Sequence, residues 1–501
     1  MLELAFANGD PLDQAVDLLV IGCRQGDLQQ EEQGQGQGIV GRADSRLDGL
    51  LRRAAVEERF AGKPGQSLLA HTHGTLPARR VALIGLGAPA SDDPRALRSA
   101  AGSAVRLAES VGAVRAALTW PSDAADGTLA AAAEGAWLGS YRFDRYLTDD
   151  RNRAPSLASL TLCPPSAVSP EVAAAELARA RITARAVARA RDLVNEPAGV
   201  LTPTRLAALA SDWAEQAGLS IEILDRAACA ALGMGLYLAV SQGSHEEPRF
   251  IHLAWKPAGA RRRLVLVGKG VTFDSGGLSL KTNEGMLDMK TDMAGAAAVL
   301  AATVAAGEEK LPVEVHALAA CTENMPSGNS YKLGDVLRSL NGKTVEINNT
   351  DAEGRLTLAD AMTFGLRLRP DAMLDFATLT GACIVALGPH IAGLMSTDDA
   401  LAASFLSAAE QAGEEMWRLP LPPRLGEQLK SEIADLKNTG ERWGGALTAG
   451  LFLKEFAGDV PWAHVDIAGP SSANKEQGHV AKGGTGFGVA SILNYLRRSA
   501  T

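Results

Sequence analysis

The chain has 501 residues, of which 46% are hydrophobic and 21% charged, a composition typical of folded globular proteins and a length that suggests two or more domains. Acidic residues outnumber basic ones by 58 to 49, so the formal net charge is −9, which disfavours non-specific binding to nucleic-acid phosphates. The five cysteines lie far apart without paired spacing, which argues against a disulfide framework and against a thiolate zinc site.

The N-terminal segment has no basic region followed by an apolar one, so it does not resemble a secretory signal. The longest uncharged stretch, residues 376–397, is interrupted by Gly381, Gly388 and Pro389, and its hydropathy argues against a membrane span. These features predict a cytoplasmic protein with no membrane partner.

The first third of the sequence alternates strand-like apolar runs with alanine-rich stretches, which predicts an α/β domain. The predicted strands are 17–22 and 81–87, and the predicted helices lie near 95–112 and 128–140. Segment 30–38 has no apolar periodicity and is interpreted as a solvated loop.

Residues 170–195 form a nearly continuous helix-forming segment that ends before Pro197, because proline disfavours helical backbone in the residue before it. We interpret this helix as the connection between two domains. The predicted organisation is an N-terminal α/β domain over 1–168, a connecting helix over 169–197 and a larger domain over 198–501.

The larger domain again alternates predicted strands and helices. Its predicted strands are 221–224, 250–256, 263–269, 313–320, 372–378 and 463–467. This pattern predicts a three-layer α/β/α domain with a mixed central sheet, in which functional residues lie at strand ends.

The first charged cluster, residues 268–292, directly follows an apolar strand. Its glycines permit close approach of the backbone where charged groups gather. Lys269 is placed at the end of the predicted strand, close to Asp274, and the cluster continues to Lys281 and Asp292.

The second charged cluster, residues 349–356, contains Asp351, Glu353 and Arg355. In an extended segment, two residues that are two positions apart project to the same side. We therefore expect the Asp351 and Glu353 carboxylates to share one metal pair.

Together the clusters contain the ligand types of a two-metal hydrolytic site. Carboxylate oxygens suit hard divalent cations, and the four carboxylates are Asp274, Asp292, Asp351 and Glu353. Lys269 can also ligate as a neutral amine, because an adjacent dication displaces its proton. Lys281 and Arg355 then leave positive charge that suits an anionic tetrahedral intermediate. Either segment alone could be a polar turn, but both in one domain favour the metal site.

These motifs resemble the leucyl (cytosol) aminopeptidases, the M17 type of dinuclear metallopeptidase. Residues 349–356 resemble the signature octapeptide of that family, and residues 268–292 resemble its first metal-binding segment. Segments 323–329, 377–382 and 462–469 are also similar. The resemblance is dense from Asn195 to Gly488 and sparse before Asn195.

The resemblance implies a metal-dependent aminopeptidase that releases unsubstituted N-terminal amino acids, leucine among them, in intracellular peptide turnover. It implies two divalent ions per subunit, Mn²⁺ or Zn²⁺, and a homohexamer. The implied metal ligands are Lys269, Asp274, Asp292, Asp351 and Glu353, with Asp274 and Glu353 shared by both ions. The implied catalytic residues are Lys281 and Arg355, with a bicarbonate at Arg355 as general base.

The resemblance also implies which residues bind the substrate. The implied side-chain pocket consists of Met289, Thr378, Gly381 and Ala468, and the backbone of Leu379 and Gly381 aligns the substrate. Ser471 and Phe487 differ from residues frequent in the family, which leaves the preference for leucine open. Two alternatives are an additional DNA-binding accessory role, which the net charge disfavours, and a dedicated dipeptidase such as a Cys-Gly hydrolase.

Overall fold

The computed structural model describes residues 2–29, 38–88, 94–121, 127–149, 151 and 154–500, so the loop predicted at 30–38 lies outside the described residues except for Gly38. The chain divides into two compact units, residues 1–185 with 475–482 and residues 186–474 with 483–501. The predicted domain boundaries at 168/169 and 197/198 stay a prediction.

The first unit is built on a six-stranded sheet. Its strands are β1 (Glu3–Phe6), β2 (Leu18–Arg24), β3 (Ser67–His71), β4 (Arg80–Gly87), β5 (Arg115–Thr119) and β6 (Ser159–Cys163). Its helices are α1 (Ile39–Arg46), α2 (Leu50–Glu57), α3 (Pro94–Ser110) and α4 (Thr128–Gly139). The spatial order is β1-β6-β5-β2-β4-β3, and β3 is antiparallel to β4 while the other neighbours are parallel. Strands β2 and β4 are apolar and buried along most of their length, as expected where helices cover a parallel sheet.

Helix α5 (Pro170–Asn195) has the predicted bounds. The helices that follow are α6 (Pro203–Ala217), α7 (Arg226–Leu232), α8 (Gly235–Val240), α9 (Asn283–Leu287), α10 (Ala294–Glu308), α11 (Gly354–Leu366), α12 (Gly381–Leu387), α13 (Asp399–Ala412), α14 (Pro423–Gly426), α15 (Gly445–Lys454) and α16 (Val489–Ser499). Among the described residues, no helix combines the length and the apolar character needed to cross a membrane.

The second unit contains a mixed eight-stranded sheet. The strands after β6 are β7 (Ser220–Leu224), β8 (Arg249–Trp255), β9 (Arg263–Asp274), β10 (Glu314–Asn324), β11 (Val336–Arg338), β12 (Thr344–Glu346), β13 (Ala372–Ala377), β14 (Ala392–Ser396), β15 (Met416–Arg418), β16 (Leu436–Lys437), β17 (Trp462–Asp466), β18 (Ser472–Ala473) and β19 (Gly483–Gly484). The order of the main sheet is β15-β14-β17-β13-β9-β10-β8-β7. The predicted α/β/α class with a mixed sheet is confirmed.

The four central strands, β17, β13, β9 and β10, are parallel to their neighbours in this group. Their carboxyl ends therefore meet at one edge of the sheet. Three of these strands end on a polar residue: Asp274, Asn324 and Asp466.

Strands β9 and β10 extend further than predicted. The sequence predicted β9 over 263–269, but β9 continues to Asp274, which places Lys269 in mid-strand. The physical reason is the helix packed on this strand. A Cβ atom at position 268 would lie 2.5 Å from Ala296 Cα in α10, so Gly268 permits close packing rather than a turn.

Helix α10 is buried around most of its circumference and consists largely of alanine, glycine and valine. A Cβ atom at Gly295 would lie 1.9 Å from the carbonyl oxygen of Phe376 in β13. The helix backbone therefore packs against the sheet backbone directly, which fixes the strand ends beside it.

Two buried histidines predict an acid-sensitive stability. His252 Nε2 and His316 Nδ1 are 2.8 Å apart, so the pair shares one hydrogen, which requires that at least one ring be neutral. Burial, with smaller contributions from His316 and Lys256, lowers the pKa of His252 to about 4, and burial also lowers the pKa of His316. Glu222 and Glu314 also face this pair.

Because the unfolded chain binds a proton at His252 near pH 6.5 and the folded chain only near pH 4, stability is lost as pH falls through this window. The loss is at most ~3 kcal/mol. We expect the urea midpoint to fall more steeply between pH 6.5 and pH 4.5 in the wild type than in His252→Phe. The difference between the two slopes of urea midpoint against pH removes the contribution of carboxylates that titrate in both proteins. Equal slopes for the wild type and His252→Phe would contradict the prediction.

Candidate active site

Three carboxylates from separate parts of the chain meet at the carboxyl edge of the sheet. Asp274, Asp351 and Glu353 each place one oxygen within 4.8 Å of the oxygens of the other two. Asp274 ends β9, Asp351 lies in a turn, and Glu353 directly precedes α11. Such a group of oxygen donors suits a hard divalent cation.

The backbone around Asp351 and Glu353 differs from the predicted one. An extended segment was predicted for Asp351 and Glu353, and this is wrong. Asp351 lies in a turn in which its amide donates to Asn349 Oδ1 at 2.8 Å, and Glu353 has helical angles, φ −74° and ψ −36°. The chain turns here because the asparagine closes an Asx turn and α11 begins directly afterwards, so the start of the helix brings the two carboxylates together.

Lys269 lies at the centre of the site. Its Nζ is 2.7 Å from Asp292 Oδ1 and 2.8 Å from Glu353 Oε1, so its close partners are these carboxylates rather than Asp274. Burial alone would lower the pKa of Lys269, but the surrounding carboxylates raise it above its ordinary value. Lys269 is therefore an ammonium in the metal-free protein and must lose a proton to become a ligand.

Gly354 leaves the room that Lys269 needs. A Cβ atom at this position would lie 2.4 Å from Lys269 Cε and 2.7 Å from its Nζ. Because these contacts are too short for a side-chain carbon, the glycine at the start of α11 is a packing requirement of the site.

Lys281 joins the two predicted clusters. Its Nζ lies 2.9 Å from Asp274 Oδ2 and 2.5 Å from Asp351 Oδ1. Burial opposes the charge, but Asp274 and Asp351 raise the pKa of Lys281 above its ordinary value. The side chain is therefore positively charged beside the carboxylate group.

Three of the four clustered carboxylates resist ionisation, whereas Lys269 lowers the pKa of the fourth, Glu353, against the effect of burial. Burial and the neighbouring Glu353 raise the pKa of Asp274 to about 6, and burial raises the pKa of Asp292 and of Asp351. Buried like charges lose their stabilisation by water and repel one another. A cation bound among them would remove this conflict.

Two buried oxygens give an independent test of whether a cation fits. Asp292 Oδ2 and Glu353 Oε2 accept no hydrogen bond from any described residue. Buried carboxylate oxygens ordinarily have a partner, so both oxygens are available as ligands. The donor set therefore fits a divalent cation.

Arg355 lies in the first turn of α11 and is buried. Its Nη1 donates to the carbonyl oxygen of Asn438 at 2.7 Å. Burial lowers the pKa of Arg355 to about 10, against the opposing effects of Glu353 and Asp466. Arg355 thus remains a buried cation at neutral pH.

Two supporting residues were not assigned roles from the sequence. Asn324 Nδ2 donates to Asp274 Oδ1 at 2.8 Å and to the carbonyl oxygen of Thr350 at 2.9 Å, so it orients one carboxylate and connects both clusters. A shift in register after Thr322 pairs Asn324 with Asp274 across β9 and β10. The signal in the sequence is a polar residue at the end of an apolar strand.

Asp466 is the second such residue and is fully buried. Its Oδ1 accepts the amides of Leu379 at 3.2 Å and Ala468 at 3.1 Å, and its Oδ2 accepts Thr380 Oγ1 at 2.7 Å. Asp466 therefore holds together two of the segments predicted to bind the substrate.

The other predicted substrate residues lie around this group. Thr378 Oγ1 donates to Asp292 Oδ1 at 2.7 Å, which connects the end of β13 with the carboxylates. Met289 is half-buried in a 3-10 turn, and Gly381 is exposed at the start of α12.

The sequence matches known protein families in both halves. Residues 188–493 match the catalytic domain of the cytosol aminopeptidase family, and residues 20–150 match the N-terminal domain of that family. A probable cytosol aminopeptidase from Cyanothece sp. is 44% identical over 97% of both chains. One from Geobacter sp. is 42% identical over 99% of this chain and 100% of its own length.

Solved structures agree with these relationships. A variant of tomato leucine aminopeptidase superposes with a TM-score of 0.91 at 38% identity, covering 99% of this chain and 97% of its own. The bottromycin maturation enzyme BotP in complex with Mn gives a TM-score of 0.83 at 37% identity, over 97% and 100%. The chain therefore belongs to the cytosol aminopeptidase family and is an enzyme of the metal-dependent aminopeptidase class.

Proposed function

We propose that this chain removes unsubstituted amino acids from the free N-terminus of peptides and uses two divalent cations, Mn²⁺ or Zn²⁺, to do so. The observation that carries the proposal is the convergence of Asp274, Asp351 and Glu353, next to a lysine that pairs with Asp292. Four carboxylates in one buried region match the charge of two dications.

The proposed ligands divide into three groups. Asp274 and Glu353 would be held in common by both cations, Lys269 and Asp292 would complete one position, and Asp351 would complete the other. A carboxylate can bind two cations through its two oxygens, and Glu353 has one oxygen on Lys269 and the other without a hydrogen bond from the described residues. When bound, the cations supply Lewis acidity toward the scissile carbonyl and lower the pKa of water.

Lys281 is proposed to stabilise the developing oxyanion. Asp274 and Asp351 hold its ammonium in place, so the charge is oriented before the reaction begins. A pre-oriented positive charge in a site with little water stabilises an oxyanion more than a mobile one does.

Arg355 is proposed to bind a bicarbonate ion. Its guanidinium is buried, and one nitrogen is fixed by Asn438, which leaves a planar donor surface suited to a small planar anion. Such an ion supplies a general base for the proton of the attacking water.

The pocket residues are proposed to bind the N-terminal residue of the substrate. Met289, Thr378, Gly381 and Ala468 would line the side-chain pocket. Because the amide of Leu379 already donates to Asp466, we assign substrate alignment to the carbonyl oxygen of Leu379. We also propose a cytoplasmic location. We further propose a homohexamer, and light scattering would test it by showing a particle with the mass of six chains.

Metal removal tests the function directly. Dialysis against a chelator is expected to lower the hydrolysis of leucine amide at least ~1,000-fold, and Mn²⁺ or Zn²⁺ is expected to restore it. Elemental analysis should find two ions per chain in the restored enzyme. N-acetyl-leucine amide is the matched control substrate, because its amine cannot bind a metal. Full turnover by protein shown to be metal-free would contradict the proposal.

Substrate panels separate the alternatives. A dedicated dipeptidase such as a Cys-Gly hydrolase would cleave dipeptides and leave tripeptides intact, whereas the proposed enzyme cleaves both. An additional DNA-binding role would give a gel shift at low salt that weakens as salt rises, and we expect no shift because of the net charge of −9.

A further inference from the structure

The last turn of α5 makes an unusual contact with the proposed active site. Lys290 Nζ donates to the main-chain carbonyl oxygen of Asn195 at 2.7 Å. The carbonyl groups at a helix C-terminus carry partial negative charge, which favours a cation there. Lys290 directly follows Met289 and lies two residues before Asp292.

Apolar burial contributes little to holding the segment that contains Lys290, although the Asp292 that follows it is held by Lys269 and Thr378. Neither α9 nor the 3-10 turn Met289–Thr291 contains a buried residue. Segments without apolar burial open readily, so a polar tether has a large influence on where Met289 lies.

The same turn of α5 also holds a second segment. Asn195 Oδ1 accepts the amide of Gly484 at 2.8 Å, and Arg191 Nε donates to the carbonyl oxygen of Thr485 at 2.9 Å. A Cβ atom at Gly483 would lie 2.2 Å from Asn195 Oδ1. This approach is so close that the position requires glycine, whose φ here is +89°.

The second segment leads to the other side of the proposed pocket. Strand β19 pairs with β18, and the Thr485 amide donates to the carbonyl oxygen of Ser471 at 3.0 Å. Thr485 Oγ1 donates to the carbonyl oxygen of Pro470 at 2.5 Å. Residues 470 and 471 directly follow Ala468 and Gly469, so α5 is connected to the Ala468 side as well as to the Met289 side.

We propose that Lys290 and Asn195 are positioning residues that set the width of the pocket for the N-terminal side chain. The proposal rests on the proposed function. Neither residue is assigned a direct contact with substrate or metal. Both act by tying the Met289 turn and the segment before Phe487 to one rigid helix end, and the preference for large over small N-terminal residues depends on that spacing.

Lys290→Met tests the tether, because it keeps the length of the side chain and removes the donor. The ratio of kcat/KM for leucine amide to that for glycine amide is expected to fall about tenfold, mostly through KM for leucine amide, since a charge-assisted hydrogen bond is lost. Lys290→Arg retains a donor and is expected to keep the ratio within about threefold of wild type. Lys454→Met, at an exposed lysine of α15, is the control and is expected to leave the ratio unchanged.

Asn195 provides a second pair of variants. Asn195→Ala removes the acceptor for the Gly484 amide and is expected to lower the same ratio, whereas Asn195→Asp keeps an oxygen there and preserves it. Hydrogen exchange gives a readout without catalysis: in metal-free protein, exchange should rise at 286–293 in Lys290→Met and at 483–487 in Asn195→Ala, with no change in β13.

The outcomes distinguish the two proposals. The wild-type enzyme could be active while Lys290→Met lowers kcat/KM equally for all substrates, or for none. That result overturns the positioning role alone. Unchanged exchange at 286–293 in Lys290→Met also overturns it. A metal-loaded wild type that cleaves no amide overturns the proposed function, and the positioning role falls with it.

Discussion

Glu353→Gln is expected to lower kcat/KM for leucine amide at least ~1,000-fold, a loss of about 4 kcal/mol in transition-state stabilisation. The carboxylate is 1% exposed and lies 2.8 Å from Lys269 Nζ. Glutamine preserves the size of the side chain but removes the charge that both proposed cation positions share. We therefore also expect fewer than two ions per chain by elemental analysis.

Glu323→Gln is the matched control for this variant. Glu323 is a half-buried carboxylate that accepts a hydrogen bond from Ser244 at 2.6 Å, and it lies outside the carboxylate group. Its activity is expected to stay within about threefold of wild type, because it removes a charge without removing a proposed ligand. A Glu353→Gln protein with two ions and normal turnover would remove Glu353 from the metal centre.

Gly295→Ala is expected to destabilise the second unit by ~3 kcal/mol or more. In an exposed helix alanine would stabilise relative to glycine, but here the added carbon would lie 1.9 Å from the Phe376 carbonyl oxygen. Because the obstacle is backbone, no side-chain rotation relieves it, and α10 must move away from the sheet.

Thermal scanning at one fixed rate measures the effect, since a chain of this size unfolds irreversibly in many cases. A drop of several degrees is expected. Gly328→Ala is the control, because a Cβ atom there meets nothing within 4 Å. A melting temperature for Gly295→Ala equal to that of Gly328→Ala would show that α10 tolerates the carbon.

The fold could be predicted where local pattern and tertiary packing agree. Helix α5 has both predicted ends, because its composition favours helix and Pro197 limits its extension. Strand β9 was predicted too short, because Gly268 looks the same in sequence whether it makes a turn or receives a helix. Only the packing of α10 distinguishes the two.

The composition of the site could be predicted more fully than its geometry. The residue types of 268–292 and 349–356 indicated the carboxylate group that the structure brings together. The pairing of Lys269 with Glu353 could not be predicted, because it depends on α11 beginning at Gly354. The contributions of Asn324 and Asp466 depend on which strands are neighbours, and a single sequence does not contain that information.

The hydrogen bonds of Asp466 bear on which residues near the proposed pocket can change during evolution. Asp466 binds the main-chain amides of Leu379 and Ala468, and every residue except proline provides that amide. Side chains at 379 and 468 can therefore be exchanged during evolution without losing these two hydrogen bonds. If these positions line the pocket as proposed, substrate preference could change there while Asp466 keeps both segments in place.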